Sequence, residues 1–172
     1  MVVVMNNTGF SLIEMVLTIA LLGLVTVVAI PKVNTSEQAV KLDTAARSLE
    51  GDVKYAQSLA NVTGETHGIK LSADNKTYTV YKKDQNNQEV TVSSPNNHQA
   101  MQTDIYQKYN TTFTAPAAGQ QPVKIEFGPN GKPVSNQNQL IELNNPTGSK
   151  KQITVSSATG RIDVVNVAPA NP

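Results

Sequence analysis

The sequence predicts an α+β protein in which a long N-terminal helix, apolar in its first half, packs against an antiparallel β-sheet head. Three observations lead to this prediction. Segment 10–30 is almost entirely apolar and contains one charged residue. Segment 31–64 has apolar residues three and four apart, the pattern of an amphipathic helix. Segment 65–172 consists of short alternating runs separated by turn residues, which is typical of a β-rich globular head.

Segment 10–30 is long enough to cross a membrane. At about 1.5 Å of rise per residue it extends about 31 Å, and the hydrocarbon core of a bilayer is about 30 Å thick. Its one charged residue is Glu14, and a carboxylate at the centre of a membrane helix costs about 2.5–3.5 kcal/mol. An ionisable residue in such a segment therefore indicates a function.

A cleavage after Gly9 would supply Glu14 with a partner, because the new α-amino group of Phe10 would be positive near neutral pH. Within one chain the amine and the carboxylate are a helical turn apart, whereas between two staggered chains they could meet directly. At a separation of about 4 Å and an effective dielectric constant of about 20, the pair gains about 4 kcal/mol. Such a pair could set the register of a polymer.

The stretch GFSLIEM begins at Gly9, and Pro31 ends the apolar run that follows it. This pattern resembles the class III signal of type IV pilins and type II secretion pseudopilins. The resemblance implies a pilin-like fold and a leader peptide of residues 1–9. It also implies that a prepilin peptidase cuts between Gly9 and Phe10 and methylates the new amine of Phe10, and that Glu14 and Pro31 serve assembly.

Two other interpretations of this segment stay open. It could be an ordinary secretory signal that is removed whole, although the leader has no Lys or Arg and Val27–Val28–Ala29 is a poor cleavage site. It could also be an uncleaved membrane anchor, which would leave Glu14 unexplained. The leader departs from the pilin pattern too, because leaders of that family usually carry basic residues. In this chain the nearest base is Lys32.

Pro31 is expected to kink or break the helix, because it removes one backbone hydrogen bond and clashes with the preceding turn. Thr35 and Gln38 could form a capping box that restarts the helix, and Gly64 is a plausible stop. Acid-then-base pairs four residues apart suit an exposed face; they are Glu37–Lys41, Asp43–Arg47 and Glu50–Lys54.

The apolar residues of the amphipathic half form one stripe. It is too short and too rich in small residues for a sustained coiled coil, so we expect it to pack against a sheet of the same chain. The stripe consists of Leu42, Ala46, Leu49, Val53, Ala56 and Ala60.

The head is predicted to be all-β. Strands are expected at 68–72, 77–82, 111–115, 123–127, 140–143, 151–156 and 161–167, with a short candidate strand at 89–93 inside an exposed polar loop, 84–97. The first two strands form one hairpin and the last two form another. Segment 101–109 is ambiguous, 115–122 is linker-like, and 169–172 is a tail.

Later motifs refine the resemblance. They are Arg47–Ser48–Leu49, Ala56–Gln57, Phe127–Gly128–Pro129–Asn130–Gly131, Ile153–Thr154–Val155 and Gly160–Arg161–Ile162. Together they resemble the H-type minor pseudopilins and the FimT/FimU-type minor pilins. The resemblance implies a structural subunit at the tip or initiation point of a type IV pilus or a type II secretion pseudopilus. The implied partners are other pilins or pseudopilins, the prepilin peptidase, the inner-membrane assembly platform and membrane lipid. The implied location is the inner membrane, crossed once, with the head in the periplasm or outside the cell until the chain joins a filament.

Composition and motifs argue against an enzyme. The chain of 172 residues has a net charge of +1 and no cysteine, so it has neither a general polyanion-binding signature nor thiolate metal ligands. His67 and His98 have no carboxylate near them at ligand spacing, and Asp74–Asn75 lacks the further ligands of a calcium loop. No Gly-x-Ser-x-Gly motif and no phosphate-binding loop occurs. We therefore expect no catalytic residue, metal or cofactor.

Three bases near the C-terminus are weak candidates for nucleic-acid binding. Lys150, Lys151 and Arg161 could lie together on the last hairpin, where some relatives bind DNA during uptake. Those relatives carry a second base two residues after the arginine, whereas this chain has Asp163, which opposes phosphate binding. Nucleic acid is therefore an unlikely partner. A DNA-binding tip pilin and a major pilin of the filament shaft remain the alternatives to a minor structural subunit.

Overall fold

The structure is a computed structural model, which describes residues 9–114 and 123–167 without the side chains of residues 26–35. It confirms the α+β class, with one long helix and two antiparallel sheets. The chain divides into two compact units, Met1–Glu37 and Gln38–Pro172. The second unit contains the head. Most of the leader, the 115–122 linker and the C-terminal tail lie outside the described residues.

Helix α1 runs without interruption over Leu12–Thr63. The expected break at Pro31 and the capping box at Thr35 and Gln38 are therefore wrong. A proline inside a helix removes one hydrogen bond and costs about 3 kcal/mol, and the long hydrogen-bonded segments on both sides keep the backbone helical. The predicted stop is confirmed: Gly64 has a φ of 69° and its N–H donates to the Ala60 carbonyl over 3.1 Å.

The apolar stripe of α1 is confirmed as core. All six of its residues are at most 2% exposed. On the flank of the helix, beside this stripe, Arg47 pairs with Asp43 at 2.8 Å and Lys54 with Glu50 at 2.6 Å. The 3.6-residue period therefore separates a buried face from a charged one, as the sequence predicts.

The strands form two sheets. Their bounds are β1 His67–Leu71, β2 Thr77–Lys83, β3 Glu89–Thr91, β4 Gln102–Asp104, β5 Thr112–Phe113, β6 Lys124–Phe127, β7 Gln139–Asn144, β8 Lys150–Val155 and β9 Ile162–Val167. The first sheet has the order β3-β2-β1-β6, with β4 also paired to β2, and the second has the order β5-β7-β8-β9. Both predicted hairpins are present, since β1 pairs with β2 and β8 with β9.

The head is not all-β, because a short helix, α2, covers Ile105–Tyr109 in the ambiguous segment. The Asp104 carboxylate caps its start by accepting from the Gln107 N–H over 2.9 Å, and Asn110 ends it with a φ of 52°. Ile105 and Tyr109 lie four residues apart and are buried. Five residues are too few for a periodicity signal, so only the two caps mark this helix in the sequence.

Gln57 fastens α1 to turns from both sheets. Its Nε2 donates to the Gly131 carbonyl over 2.9 Å and to the Gly160 carbonyl over 3.0 Å. Gly131 follows β6 of the first sheet, and Gly160 lies in the turn between β8 and β9 of the second. Both glycines have a positive φ, 65° and 69°, which side chains rarely adopt. A Cβ at Gly160 would also lie 2.7 Å from Gln57 Nε2, so a side chain there would move the Gln57 amide away from its two hydrogen bonds.

A second set of bonds fixes the start of the packed part of the helix. The Asn145 side chain, which is buried, donates to the Gln38 carbonyl over 3.2 Å. The Asn110 amide donates to Gln38 Oε1 over 3.4 Å. Both asparagines lie in turns of the head, so α1 is held near Gln38 as well as at Gln57.

We predict that Leu49→Asp unfolds the head. Leu49 is fully buried under the sheets, and an unpaired charge there would cost about 4 kcal/mol or more, a large part of a domain's stability. Val62→Asp is the control, because Val62 is 79% exposed on the same helix. The measurement is thermal melting of the detergent-solubilised full chain by circular dichroism. A Leu49→Asp chain that melts like the parent would show that the stripe does not stabilise the head.

Candidate functional site

The predicted cleavage site lies in an exposed segment before the helix. Gly9 and Phe10 are exposed and outside regular structure. The N–H groups of Glu14 and Met15 both donate to the Ser11 carbonyl, over 3.0 and 3.2 Å, so helical hydrogen bonding begins immediately after Phe10. The peptide bond between Gly9 and Phe10 is thus free of the helix, and exposed irregular backbone is where proteolysis concentrates.

Glu14 lies in the first turn of α1. A carboxylate is favoured there by the positive end of the helix dipole. The sequence has no Lys, Arg or His before Lys32. Since the helix is continuous between these residues, their backbones are about 27 Å apart along its axis. Lys32 of the same chain therefore lies too far along the helix to pair with Glu14.

The first part of α1 carries a broad apolar surface. Its large apolar side chains from Phe10 to Val25 are between 55% and 84% exposed. They lie all round the helix rather than on one stripe, so no single neighbouring element could bury them. An exposed apolar surface of this extent marks a segment that other chains or lipid cover.

Over the residues whose structure is described, no helix reaches the length and apolarity required to cross a membrane. The end of the predicted span, 26–30, lies outside the residues whose side chains are described. The side chain of Pro31, predicted to serve assembly, lies outside them as well.

The three basic candidates do not form one surface. In the β8–β9 pairing Lys150 lies opposite Val167, whereas Arg161 lies at the other end of the hairpin, about 20 Å away. Each base is also paired: Lys150 with Glu142 at 2.8 Å, Arg161 with Asp163 at 2.8 Å, and Lys151 with Asp43 of α1. The structure therefore does not bring the three bases together as a phosphate-binding patch.

The histidines do not meet. His67 is buried and its Nδ1 lies 3.1 Å from the Glu65 carbonyl, while His98 is exposed, directly after the polar loop 84–97, with a φ of 55°. Within the described ranges no group of three or more His, Cys, Asp or Glu side chains could hold a metal ion.

Asp52 is a partly buried acid that the sequence analysis does not predict. Its Oδ2 accepts from the Tyr78 hydroxyl over 2.5 Å at the interface of α1 with β2. Burial raises the pKa of Asp52, and burial together with the nearby carboxylate raises the pKa of Tyr78. Helical spacing could have indicated the burial of Asp52, because this residue is three positions after Leu49 and four before Ala56, on the apolar side of the helix.

Other acids of the head are held charged on the outer faces. Burial alone would raise the pKa of Glu126, but hydrogen bonds from Lys83 and Tyr81 hold it below its usual value. Hydrogen bonds from Lys124 and Lys70 likewise lower the pKa of Glu89. Salt bridges thus neutralise these acids within the head.

An exposed apolar helix with a glutamate in its first turn, joined to a head of two small sheets, defines the pilin class of filament subunits. Two family models match this chain: the type II transport protein GspH over residues 45–159, and the prokaryotic N-terminal methylation motif over residues 4–30. The chain belongs to the GspH family and is a minor pseudopilin or minor pilin of the type II secretion or type IV pilus kind. Proteins of this family are structural subunits that form filaments with other pilins or pseudopilins.

Solved structures share the fold. EpsH, a minor pseudopilin from the type 2 secretion system of Vibrio cholerae, is 12% identical over 73% of this chain and 97% of its own, with a TM-score of 0.57. The type IV minor pilin FimU of Pseudomonas aeruginosa is 20% identical over 74% of this chain and 90% of its own, with a TM-score of 0.53. No curated protein sequence matches the chain.

We predict that Asp52→Asn stabilises the head at neutral pH, by about 1 kcal/mol at most because the site is only half-buried. The amide keeps an acceptor for Tyr78 and removes a charge that burial disfavours. Because the folded-state pKa of Asp52 is raised, its unfavourable contribution is present above that pKa and disappears as the pH falls through it. The advantage of the variant should therefore shrink between pH 7 and pH 4.

The measurement is the melting temperature of both chains across that pH range. Glu50→Gln is the control, since it removes an exposed ion pair on the same helix and should lower stability by about 0.3–0.5 kcal/mol at neutral pH. An Asp52→Asn chain that is less stable than the parent at neutral pH would show that the charged form is the favoured one.

Proposed function

We propose that the chain is made with a leader of residues 1–9, cut between Gly9 and Phe10 by a prepilin peptidase, and methylated on the amine of Phe10. The processed chain waits in the inner membrane with residues 10–30 as its single span and the head in the periplasm or outside the cell. An assembly platform in that membrane then moves it into a filament, at the tip or during initiation. The methylation-motif match over residues 4–30 supports this sequence of events.

One observation carries the assembly role: Glu14 is a carboxylate among exposed apolar side chains, and no Lys, Arg or His precedes Lys32 in the sequence. In lipid that charge is costly. The α-amino group of Phe10 on a neighbouring subunit is a cation of matching position, and the pair gains about 4 kcal/mol at about 4 Å. A pair made between chains is lost when a subunit leaves the filament, so it favours the assembled form over the free one.

The head supports a structural role over a DNA-binding one. Its three C-terminal bases are paired with Glu142, Asp43 and Asp163 of the same chain. Binding a phosphate backbone would require breaking those pairs. Nothing in the described head favours DNA uptake over assembly. We therefore propose that these three bases stabilise the folded head through their ion pairs.

We predict that the mature protein begins at Phe10 with a methylated amine. Mass analysis of the N-terminus in a host that has the peptidase measures this directly. Gly9→Leu should leave the leader in place, because a large residue blocks the site, whereas Gly9→Ala should be cut, at most more slowly. A mature start near Ile30 would indicate an ordinary secretory signal, and an intact leader on the parent would indicate an uncleaved anchor.

We predict that Glu14→Gln is inserted and processed normally but enters the filament about tenfold less than the parent, because the neighbour's amine loses its partner. Glu14→Asp is the matched variant: it keeps the charge and should keep a larger share of incorporation. Co-purification with the other filament subunits gives the measurement, and membrane fractionation gives the control for insertion. Equal co-purification of Glu14→Gln and the parent would exclude the charge pair as the basis of assembly.

A further inference from the structure

The edges of the two sheets differ in how well they are protected from pairing with another chain. At one edge of the first sheet, β3 and β4 have three residues each and are separated by a loop that contains Pro95. At its other edge the segment after β6 folds back, and the Val134 N–H donates to the Glu126 carbonyl over 2.9 Å. The Gln139 side chain also donates to the Lys124 carbonyl, over 3.0 Å. On the second sheet β5 has only two residues. Short strands, proline and covering segments are the usual protection of a sheet edge.

The remaining edge is β9, whose sequence offers no such protection. The strand has six residues, Ile162–Val167, and contains no proline, no lysine and one charged residue, Asp163. Arg161 compensates that charge at 2.8 Å. At about 3.3 Å per residue β9 extends about 20 Å. In the parts of the chain that the structure describes, β9 pairs with β8 alone. It is therefore a long sheet edge without a partner on its outer side.

The hydrogen-bond register shows which backbone groups of β9 point outward. Just beyond the paired strands, the Ser156 N–H donates to the Arg161 carbonyl over 2.9 Å. Hydrogen-bonded and non-hydrogen-bonded pairs alternate along an antiparallel ladder, so every second residue of β9 bonds to β8, beginning with Asp163. The residues between them direct their N–H and C=O groups away from the sheet, and these groups are the β9 edge. They belong to Ile162, Val164 and Asn166.

The β9 edge suits an extended strand, because a strand presents complementary N–H and C=O groups along its length. The neighbours that the proposed function supplies are heads of the same class, and a head of this class consists largely of strands. Among the sheet edges that the structure describes, only this one is both long and open. Strand pairing therefore joins the head to one neighbour and does not continue on another side, as suits a subunit at a tip or at the start of a filament.

We propose that the β9 edge pairs with an edge strand in the head of one neighbouring pilin-class subunit. The inference rests on the proposed function and adds a contact between heads to the charge pair between N-termini. One added strand of this length makes few hydrogen bonds, and each contributes little net stability in water. The pairing therefore forms where the apolar N-terminal segments already hold two heads close together, because their effective concentration is then high.

The first test changes one outward N–H group of β9. Asn166→Pro removes that donor and places a ring on the edge, whereas the hydrogen bonds to β8 stay, because Asn166 makes none of them. Asn166→Ala is the matched control, since it removes the same side chain and keeps the N–H. Both full-length chains should insert, be processed and melt like the parent. Asn166→Pro should co-purify with the other filament subunits about tenfold less than Asn166→Ala.

Photo-cross-linking identifies the occupant. A photoreactive phenylalanine analogue at Val165, which is 52% exposed on β9, should form adducts with a strand in the head of another filament subunit, as mapped by mass spectrometry. Leu140 is the control position: it is 47% exposed on the same face of the sheet but lies on β7, two strands and about 10 Å from the edge. The analogue there should form no such adducts. Adducts from Val165 only with a second copy of this chain, with a soluble protein or with lipid would overturn the proposal.

The proposed function and the β9 pairing fail in different ways. A parent chain that is absent from the filament overturns both. A parent that assembles, together with an Asn166→Pro chain that co-purifies like Asn166→Ala, overturns only the pairing. If Asn166→Pro melts at a lower temperature than Asn166→Ala, the cross-link from Val165 decides: adducts with a head strand of another subunit support the pairing, and their absence overturns it.

Discussion

Burial of a single stripe of α1 is the interaction on which the head depends. Both sheets lay their apolar faces on it, and neither sheet is large enough to form a core of its own. Three of the six residues of the stripe are alanine. Gln57 then fixes the position of both sheets on the helix, because its one amide group donates to a carbonyl in a turn of each sheet. Gln57, Gly131 and Gly160 belong to three of the motifs that resemble those of minor pseudopilins. They are far apart in the sequence, and the hydrogen bonds of the Gln57 amide bring them together.

Charge is distributed unevenly along the molecule. In the head, acids and bases are matched within the chain, either along α1 or across strands, as at Glu89 and Glu126. Such pairs contribute little stability individually, but they compensate charges that could otherwise attract a polyanion. At the other end, Glu14 stands among apolar side chains with no base near it in sequence. The chemistry that distinguishes this protein is therefore at its N-terminus, while the head contributes packing and shape.

Much of the fold could be predicted from the sequence, because helices and strands leave a periodic pattern of apolar residues. The stripe on α1 and the strands β1, β2, β6, β8 and β9 follow from spacing and turn residues, with bounds that differ by one residue or so. Three features could not be predicted. The helix continues through Pro31 because its neighbours on both sides supply hydrogen bonds, which a local rule ignores. Helix α2 is too short to show a period. The hydrogen bonds of Gln57 to Gly131 and Gly160 join residues over seventy positions apart, and only the tertiary structure brings them together.

The pinning of α1 at Gln38 and Gln57 also has a mechanical consequence. A filament that is pushed or retracted loads its subunits along the helix axis. In this chain the load passes from α1 to the first sheet through Gly131 and to the second through Asn145 and Gly160. These bonds and the buried stripe between them are loaded side by side, in shear, so they must yield together rather than one after another. Resistance to force is governed by the rate of unfolding, and parallel loading of this kind keeps that rate low while the helix transmits the pull.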